Sequence, residues 1–283
     1  MSRIQEILKK AERDGGVHRT RAFVAEGPAV GSPSAAAAAT VAMPAPLPVV
    51  DNRDAVEVAA SLDHRLVAAF APQSLAAEQY RSLRTRIKNA EHGRAMRSII
   101  ITSPNKGDGK SLTAANLALT MAQEFQQRVL LIDGDLRRPS IHRLFGVGDI
   151  PGLSDVLMGT ISAEDAVLNI AEHHLSILPA GTIPSHPAEL LGSTAMRRAL
   201  DTLRTRFDRI LIDMPPVAPL ADVSIALGLA DGLLMIVRAG VTPKPAIERA
   251  MSGLDAAKVL GLVLNDAGAA GSAYADGYHY VAG

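Results

Sequence analysis

The stretch SIIITSPNKGDGKS, residues 98–111, decides the fold of this chain. It begins with a β-branched run typical of a buried strand, and a helical pattern starts at Lys110. Gly-Lys-Ser between a strand and a helix is the core of a phosphate-binding loop. Pro104 stands where the common pattern has its first glycine, while the rest of the core is intact. The sequence therefore predicts a nucleotide site at the end of a sheet strand.

The residue types of this loop fit a nucleotide triphosphate and its metal ion. Gly107 and Gly109 let the backbone turn so that its amides face phosphate oxygens, and the helix N-terminus adds its dipole. The ammonium of Lys110 can reach the β and γ phosphates, and the hydroxyl of Ser111 can bind magnesium. ATP and Mg²⁺ are the expected ligands. The predicted nucleotide-binding residues of the loop are Lys106, Gly107, Asp108, Gly109, Lys110, Ser111 and Leu112.

On both sides of this loop, apolar strands alternate with helical stretches. This alternation predicts an α/β fold with a doubly wound, mostly parallel sheet flanked by helices. The predicted strands are 98–102, 128–132, 175–178, 209–212, 232–237 and 259–264. The predicted helices are 75–89, 110–125, 153–158, 187–191, 194–207, 218–229 and 244–256. Ligands of such a sheet lie at the carboxyl ends of its strands.

Three carboxylates follow two of these strands directly. Asp133 and Asp135 come after one strand, and Asp213 comes after another. A carboxylate in that place can hold a magnesium ion in the usual P-loop manner. We expect Ser111, Asp135 and Asp213 to bind the metal, and we expect Asp133 to prepare an acceptor hydroxyl. The roles of Asp133 and Asp135 could be reversed. With Lys110, these three aspartates form the predicted catalytic set.

Composition narrows the class of protein. Lysine plus arginine equal aspartate plus glutamate at 29 each, so no overall charge attracts nucleic acid. The chain has no cysteine, which excludes disulfides and thiolate metal sites and fits the reducing cytoplasm. No apolar run approaches the roughly 20 residues that span a bilayer. We expect a cytoplasmic protein without a nucleic-acid partner, recruited to any membrane by another molecule.

Composition also divides the chain into four segments. Residues 1–22 contain an amphipathic helical pattern over residues 2–14, whose mixed polar face suits a membrane surface or a partner helix, or a helix that docks weakly or not at all. Residues 23–72 are rich in alanine and proline and predict an extended linker. Residues 73–266 hold the nucleotide-binding domain, and residues 267–283 form a tail.

The tail is notable for its tyrosines. Three of the four tyrosines in the chain lie there, at Tyr274, Tyr278 and Tyr280. Tyrosine usually lies where its ring is buried and its hydroxyl is paired. The surrounding glycine and alanine residues offer no such core, which favours a functional role for these hydroxyls.

These motifs together resemble a known family, the bacterial tyrosine kinases (BY-kinases) of capsule and exopolysaccharide synthesis, which share the fold of the MinD/ParA ATPases. Residues 103–111 are similar to the family's Walker A motif, and residues 210–216 to its Walker B motif. Residues 130–137 are similar to its Walker A′ motif, with the pattern D-x-D-x-R, and this match adds Arg137 to the nucleotide-binding residues. Asn265 matches the place where relatives contact adenine.

Other parts of the resemblance concern assembly. Glu78, Arg81 and Arg84 reproduce the family's E-x-x-R-x-x-R helix, which binds neighbouring subunits in a ring. MinD-type ATPases carry a second lysine where this chain has Asn105, so the loop resembles that of the kinases instead. The tyrosine-bearing tail is where family members phosphorylate themselves.

The resemblance implies an ATP-dependent tyrosine autokinase that modifies the tail in trans, and other tyrosine-containing proteins as further substrates. It also implies a ring-like homo-oligomer and a separate transmembrane activator of the polysaccharide co-polymerase type, which recruits the kinase to the inner face of the cell membrane. One alternative is an ATP-switched assembly or positioning ATPase without kinase activity, because fold alone does not fix function. Another is a regulatory subunit of polysaccharide export whose phosphorylation is incidental.

Overall fold

A computed structural model describes residues 56–57, 61–91, 96–124, 127–217 and 222–267. The predicted N-terminal helix over residues 2–14 lies outside these residues, and so do the three tail tyrosines.

The described residues form one sheet with helices around it. Its eight strands are β1 (Val56–Glu57), β2 (Ser98–Thr102), β3 (Val129–Asp133), β4 (Leu168–Ile170), β5 (Leu175–Leu178), β6 (Arg209–Asp213), β7 (Gly232–Arg238) and β8 (Val259–Asn265). Their order is β1-β4-β5-β3-β6-β2-β7-β8. Within this described sheet every neighbouring pair is parallel except β4 and β5. The predicted mostly parallel sheet is confirmed.

Nine helices are described, and two of them begin at a serine side-chain cap. They are α1 (Val67–Phe70), α2 (Leu75–Ala90), α3 (Lys110–Ala122), α4 (Ile141–Leu144), α5 (Leu153–Leu157), α6 (Pro187–Leu191), α7 (Thr194–Arg206), α8 (Asp222–Leu227) and α9 (Lys244–Ser252). The hydroxyl of Ser74 accepts a hydrogen bond from the amide of Ala77 at 3.2 Å and begins α2. Ser193 begins α7 in the same way, accepting from Met196 at 3.2 Å. Such caps satisfy amides that have no partner within the helix.

The core positions the phosphate-binding loop. Strands β2 and β3 are buried along their whole length, as expected for parallel strands covered on both faces. Helix α3 buries small side chains at Ala114, Ala115 and Ala118, which lets it lie close to the sheet. The loop between β2 and α3 is therefore held at both ends by rigid elements.

The last part of the predicted linker is folded. Leu66 is fully buried, and Ala68 in helix α1 is buried as well. The amide of Ala68 donates to the side-chain oxygen of Asn116 at 3.0 Å, and its carbonyl accepts from Gln123 at 2.9 Å. The prediction that the linker extends to residue 72 is therefore wrong for residues 61–72, because these residues pack on α3 and belong to the folded domain.

Candidate active site

The phosphate-binding loop lies at the carboxyl end of β2. At the same edge of the sheet, β3 ends in Asp133 and β6 ends in Asp213. Strand β6 lies between β2 and β3, and Asp133 and Asp213 are direct register partners at the ends of β3 and β6. Gly107 and Gly109 have φ angles of 89° and 92°, a backbone conformation that glycine adopts without strain. The predicted loop and the predicted carboxylates are thus brought together at one edge of the sheet.

Lys110 is the electrostatic centre of the site. Its ammonium nitrogen lies 2.9 Å from a carboxylate oxygen of Asp135 and 3.4 Å from both oxygens of Asp213. It also lies 3.1 Å from the hydroxyl of Ser111. Burial alone would lower the pKa of Lys110, but attraction to Asp213 and Asp135 outweighs burial and raises it. The lysine is therefore a fixed positive charge that neutralises two buried carboxylates.

Asp133 lies beneath this ion-pair group and is held by backbone amides. One of its oxygens accepts hydrogen bonds from Ser140 and Ile141, both at 2.9 Å, and the other accepts from Asp135 at 3.2 Å. Burial, followed by repulsion from Asp213, raises the pKa of Asp133 to about 7. Burial also raises the pKa of Asp213, against the opposing effect of Lys110. The site thus contains an aspartate that changes charge near neutral pH.

Asp108 fixes the shape of the loop, and the sequence did not indicate how. One of its carboxylate oxygens accepts from the amide of Asn105 at 2.8 Å, and the other accepts from the hydroxyl of Thr242 at 2.7 Å. The side-chain amide of Asn265 donates to the carbonyl of Asp108 at 3.0 Å, and a Cβ at Gly109 would overlap that amide. Asn265 therefore supports the loop; its contact with adenine stays a prediction.

Arg137 has a partner that sequence reasoning missed. Its guanidinium makes a bidentate pair with Asp222, with N–O distances of 2.7 and 3.2 Å. Asp222 is buried at the start of α8 and lies 85 positions further along the chain. An aspartate within a predicted helix carries no signal that points to this contact. Arg137 also lines the cavity beside the loop, and its role in nucleotide binding stays a prediction.

The predicted interface helix is α2. Arg81 forms an ion pair with Glu78 at 2.7 Å and also donates to the carbonyl of Pro72. Arg84 donates to the carbonyl of Thr120 at 2.8 Å, near the end of α3. Arg84 is thus engaged within its own chain, whereas Glu78 is largely exposed. Subunit contact through these residues stays a prediction.

A large cavity of about 1740 Å³ opens beside the loop. Lys110, Ser111 and Asp135 line it on the loop side, while Asp133 and Asp213 do not belong to its lining. Asp213 is covered by the ammonium of Lys110, and Asp133 is covered by backbone amides. Of the three predicted catalytic aspartates, Asp135 is therefore the one that lines the cavity.

The donor set fits a magnesium–nucleotide complex. Within the described ranges no cluster of three or more histidine, cysteine, aspartate or glutamate residues forms a metal site on its own. Magnesium in nucleotide sites usually takes one or two carboxylates, with waters and substrate phosphates as its other ligands. The hydroxyl of Ser111 and the carboxylates of Asp135 and Asp213 supply such a set around Lys110.

Comparison with known proteins decides the family. The family model described as AAA domain matches residues 96–255. The tyrosine-protein kinase YwqD of Bacillus subtilis is 40% identical over 206 residues, which cover 72% of this chain and 86% of that protein. The chain belongs to the bacterial tyrosine kinase family. The resemblance found in the motifs is thereby confirmed, and the chain is a protein-tyrosine kinase.

Solved structures of similar proteins agree with this assignment. The kinase matches the chimerical protein CapA2B2 with a TM-score of 0.68 and 31% identity, covering 75% of this chain and 92% of that one. It matches the kinase domain of the Escherichia coli tyrosine kinase ETK with a TM-score of 0.68 and 29% identity, over 71% of this chain and 79% of that one. Among the described residues, no helix is both long and apolar enough to cross a membrane.

Proposed function

We propose that this kinase binds Mg²⁺–ATP in the cavity and transfers the γ-phosphoryl group to the tail tyrosines of a neighbouring copy. The observation that carries the proposal is the contact of one loop ammonium with two strand-end carboxylates, since Lys110 lies 2.9 Å from Asp135 and 3.4 Å from Asp213. Phosphoryl transfer depends on positioning and on neutralising the charge of phosphate oxygens. Lys110 provides positive charge for the phosphate oxygens, and the two carboxylates provide ligands that would position the magnesium ion.

In the proposed complex, the amides of residues 107–111 and the ammonium of Lys110 bind phosphate oxygens. Ser111, Asp135 and Asp213 hold the magnesium ion, which supplies charge neutralisation. Because Lys110 covers both carboxylates in this structure, its shift toward a phosphate would leave them free for the metal. The two events are therefore coupled through one side chain.

The transfer needs a group that takes the phenol proton. The phenol oxygen forms a bond to the γ phosphorus, the bond from phosphorus to the β–γ bridging oxygen breaks, and ADP leaves with that electron pair. We assign the proton to Asp133, because its pKa of about 7 suits a base that works at neutral pH. Asp135 is the second candidate for this base, because its side chain lines the cavity, whereas Asp133 lies beneath Asp135.

The length of the tail permits transfer between copies. Residues 267–283, when fully straight, extend at most roughly 55–60 Å. That reach makes the site of a neighbouring copy accessible. We propose a ring-like homo-oligomer that uses Glu78, Arg81 and Arg84, and a transmembrane activator of the polysaccharide co-polymerase type that holds the kinase at the inner face of the membrane. Regulation of capsule or exopolysaccharide synthesis is the proposed output.

The test is a mixture of two full-length variants. One carries Lys110→Met and an intact tail, and the other is active but has phenylalanine at Tyr274, Tyr278 and Tyr280. With magnesium and ATP, we expect phosphotyrosine on the Lys110→Met chain, located by mass spectrometry in the tail. Each variant alone serves as the control and should remain unlabelled in the tail.

Two outcomes would contradict the proposal. If wild type labels its tail and the mixture does not, transfer occurs within one chain. If label is found only on Tyr80, the fourth tyrosine of the chain, the tail is not the substrate.

A further inference from the structure

A segment far from the phosphate-binding loop in sequence also lines the cavity. This segment is residues 61–72, which pack on α3 and are called the strap here. Asp63 and Arg65 of the strap line the same cavity as Lys110 and Ser111. The guanidinium of Arg65 donates to both carboxylate oxygens of Asp63, at 2.9 and 2.7 Å. The strap therefore forms part of the wall of the proposed nucleotide site.

Asn116 is a buried residue of α3 that joins the strap to the start of this helix. Its side-chain oxygen accepts from the amide of Ala68 at 3.0 Å. Its side-chain nitrogen donates to the carbonyl of Arg65 at 3.2 Å and to the carbonyl of Leu112 at 3.0 Å, which uses both donors of an asparagine. Leu112 directly follows Ser111, the predicted magnesium ligand. One side chain thus bonds to the strap and to the first turn of the helix that carries the phosphate site.

The amide of Ala68 depends on this contact. Ala68 is the second residue of α1, a position where a helix offers its own amides no acceptor. The side chain of Asn116 supplies the acceptor from outside that helix. Release of the strap from α3 would therefore expose this amide to water.

Few buried groups hold the strap in place. Among residues 61–72, all of which the structure describes, Leu66 and Ala68 are the buried ones. At the far end of α3, Gln123 donates to the carbonyl of Ala68 at 2.9 Å. Segments with few buried apolar side chains open at a lower free energy than the core of a domain. We therefore expect the strap to open more readily than the sheet.

We propose that Asn116 is a positioning residue for the nucleotide: it holds the strap on α3, so that docking of the strap and binding of the magnesium nucleotide stabilise each other. The inference rests on the nucleotide binding of the proposed function and adds a group that this function does not use. Asn116 is not among the described residues that line the cavity, so it acts through the backbones of the strap and of Leu112. Such linkage is reciprocal, because bound nucleotide must oppose release of the strap by the same factor by which release weakens nucleotide binding.

Hydrogen exchange of the full-length kinase measures release of the strap. Exchange at the amide of Ala68 is followed by NMR with and without saturating Mg²⁺–ADP. We expect Mg²⁺–ADP to slow this exchange about tenfold, a usual size for coupling between sites. The control is the amide of Leu254, which donates to the carbonyl of Met251 at 3.2 Å outside the cavity and should exchange at an unchanged rate.

Variants test the reverse direction of the linkage. Leu66→Ala should release the strap, because loss of a fully buried leucine costs more than one hydrogen bond. Calorimetric titration should then show about tenfold weaker binding of Mg²⁺–ADP, and Asn116→Ala should weaken it to a similar extent. The double variant should bind no more weakly than either single variant, because the strap is released only once. In the transfer assay, Leu66→Ala should raise the KM for ATP and keep kcat.

A milder variant keeps the test decisive if Leu66→Ala does not fold. Gln123 is exposed, and Gln123→Ala removes its bond to the carbonyl of Ala68. Exchange at Ala68 without nucleotide should become about fivefold faster, the size of one hydrogen bond, and Mg²⁺–ADP should still slow it. Gln127→Ala is the matched control, because the side chain of Gln127 makes no hydrogen bond to the strap, all of which is described, and it should leave this exchange unchanged.

The outcomes separate this inference from the proposed function. If Mg²⁺–ADP binds but leaves exchange at Ala68 unchanged, the linkage is overturned and the nucleotide site stands. The linkage is also overturned if Leu66→Ala exposes the amide of Ala68 and yet binds Mg²⁺–ADP as tightly as wild type. Additive losses in the double variant would show that Asn116 acts on α3 without the strap, against the proposal. Wild-type kinase that binds no Mg²⁺–ADP contradicts the proposed function and overturns this inference with it.

Discussion

Removing the ammonium of Lys110 should destabilise the fold, and the size of the loss should depend on pH. Lys110 contacts Asp135 at 2.9 Å and Asp213 at 3.4 Å, and all three side chains are largely buried. Breaking a buried ion pair by removing one partner costs about 3–5 kcal/mol. Native domains are stable by about 5–15 kcal/mol, so Lys110→Met should still fold, with a smaller margin.

The pH dependence follows from the aspartates that remain. An unfolded aspartate has a pKa near 3.9, and that of folded Asp133 is about 7. The folded state therefore binds this proton more tightly, and its contribution to stability is lost as pH rises from about 4 to about 7. In Lys110→Met, the pKa values of Asp133 and Asp213 should rise further, because the attraction of Lys110 to each carboxylate is gone. Stability of the variant should then continue to fall above pH 7, where this contribution in the wild type is constant.

The assay is urea denaturation at pH 6.5 and pH 8.5, followed by circular dichroism. Lys88→Met is the control, because Lys88 makes an exposed ion pair with Glu124 at 3.2 Å. An exposed pair contributes at most about 1 kcal/mol. Lys110→Met should lose several times more free energy of unfolding than the control, and more at pH 8.5. Adding Asp213→Asn should return part of the loss, by about 1–3 kcal/mol. A loss equal to that of Lys88→Met, or equal at both pH values, would refute this account of the site.

Three further predictions concern single positions. Gly109→Ala should destabilise the loop by about 1–3 kcal/mol and abolish nucleotide binding, because its φ of 92° strains a residue with a Cβ; calorimetric titration with Mg²⁺–ADP checks this. Arg84→Ala should lower the melting temperature more than Arg81→Ala, since Arg84 bonds to α3; equal shifts would contradict that difference. Light scattering of the double variant reports whether the same arginines also join subunits. In Asp133→Asn, the transfer rate should no longer rise as the pH increases through 7. If the rise is lost in Asp135→Asn and kept in Asp133→Asn, then Asp135 is the base and Asp133 is not.

The strands that carry the site were predicted correctly from the sequence, and the reason is physical. The strands that carry the site are buried on both faces, so their residues form continuous apolar runs that end in polar loops. The boundaries of β2 and β5 were predicted to the residue. Because parallel strands end at the same edge, the meeting of Lys110, Asp135 and Asp213 also followed from sequence order.

The short strands, the folded residues 61–72 and one ion pair were not predicted, because they depend on contacts with distant parts of the chain and not on a local sequence pattern. Strand β4 has three residues and pairs antiparallel with β5, and β1 has two residues. Runs that short show no period of their own. Residues 61–72 have the composition of a linker, yet Leu66 is buried because α3 provides an apolar surface for it. The pairing of Arg137 with Asp222 spans 85 positions and likewise depends on the finished fold.

The site carries more negative charge than its own lysine can neutralise, and this imbalance bears on how ligands enter. Three aspartates are gathered around one buried ammonium, and the pKa values of Asp133 and Asp213 are raised first by burial and then by repulsion between the carboxylates. A phosphate that draws Lys110 away adds negative charge and at the same time removes the only ammonium bound to these carboxylates in the described site. A divalent cation that accompanies the nucleotide would restore positive charge next to the carboxylates once Lys110 has moved to the phosphates. The same electrostatics that make Lys110 stabilising in the free kinase therefore favour a metal ion in the proposed complex.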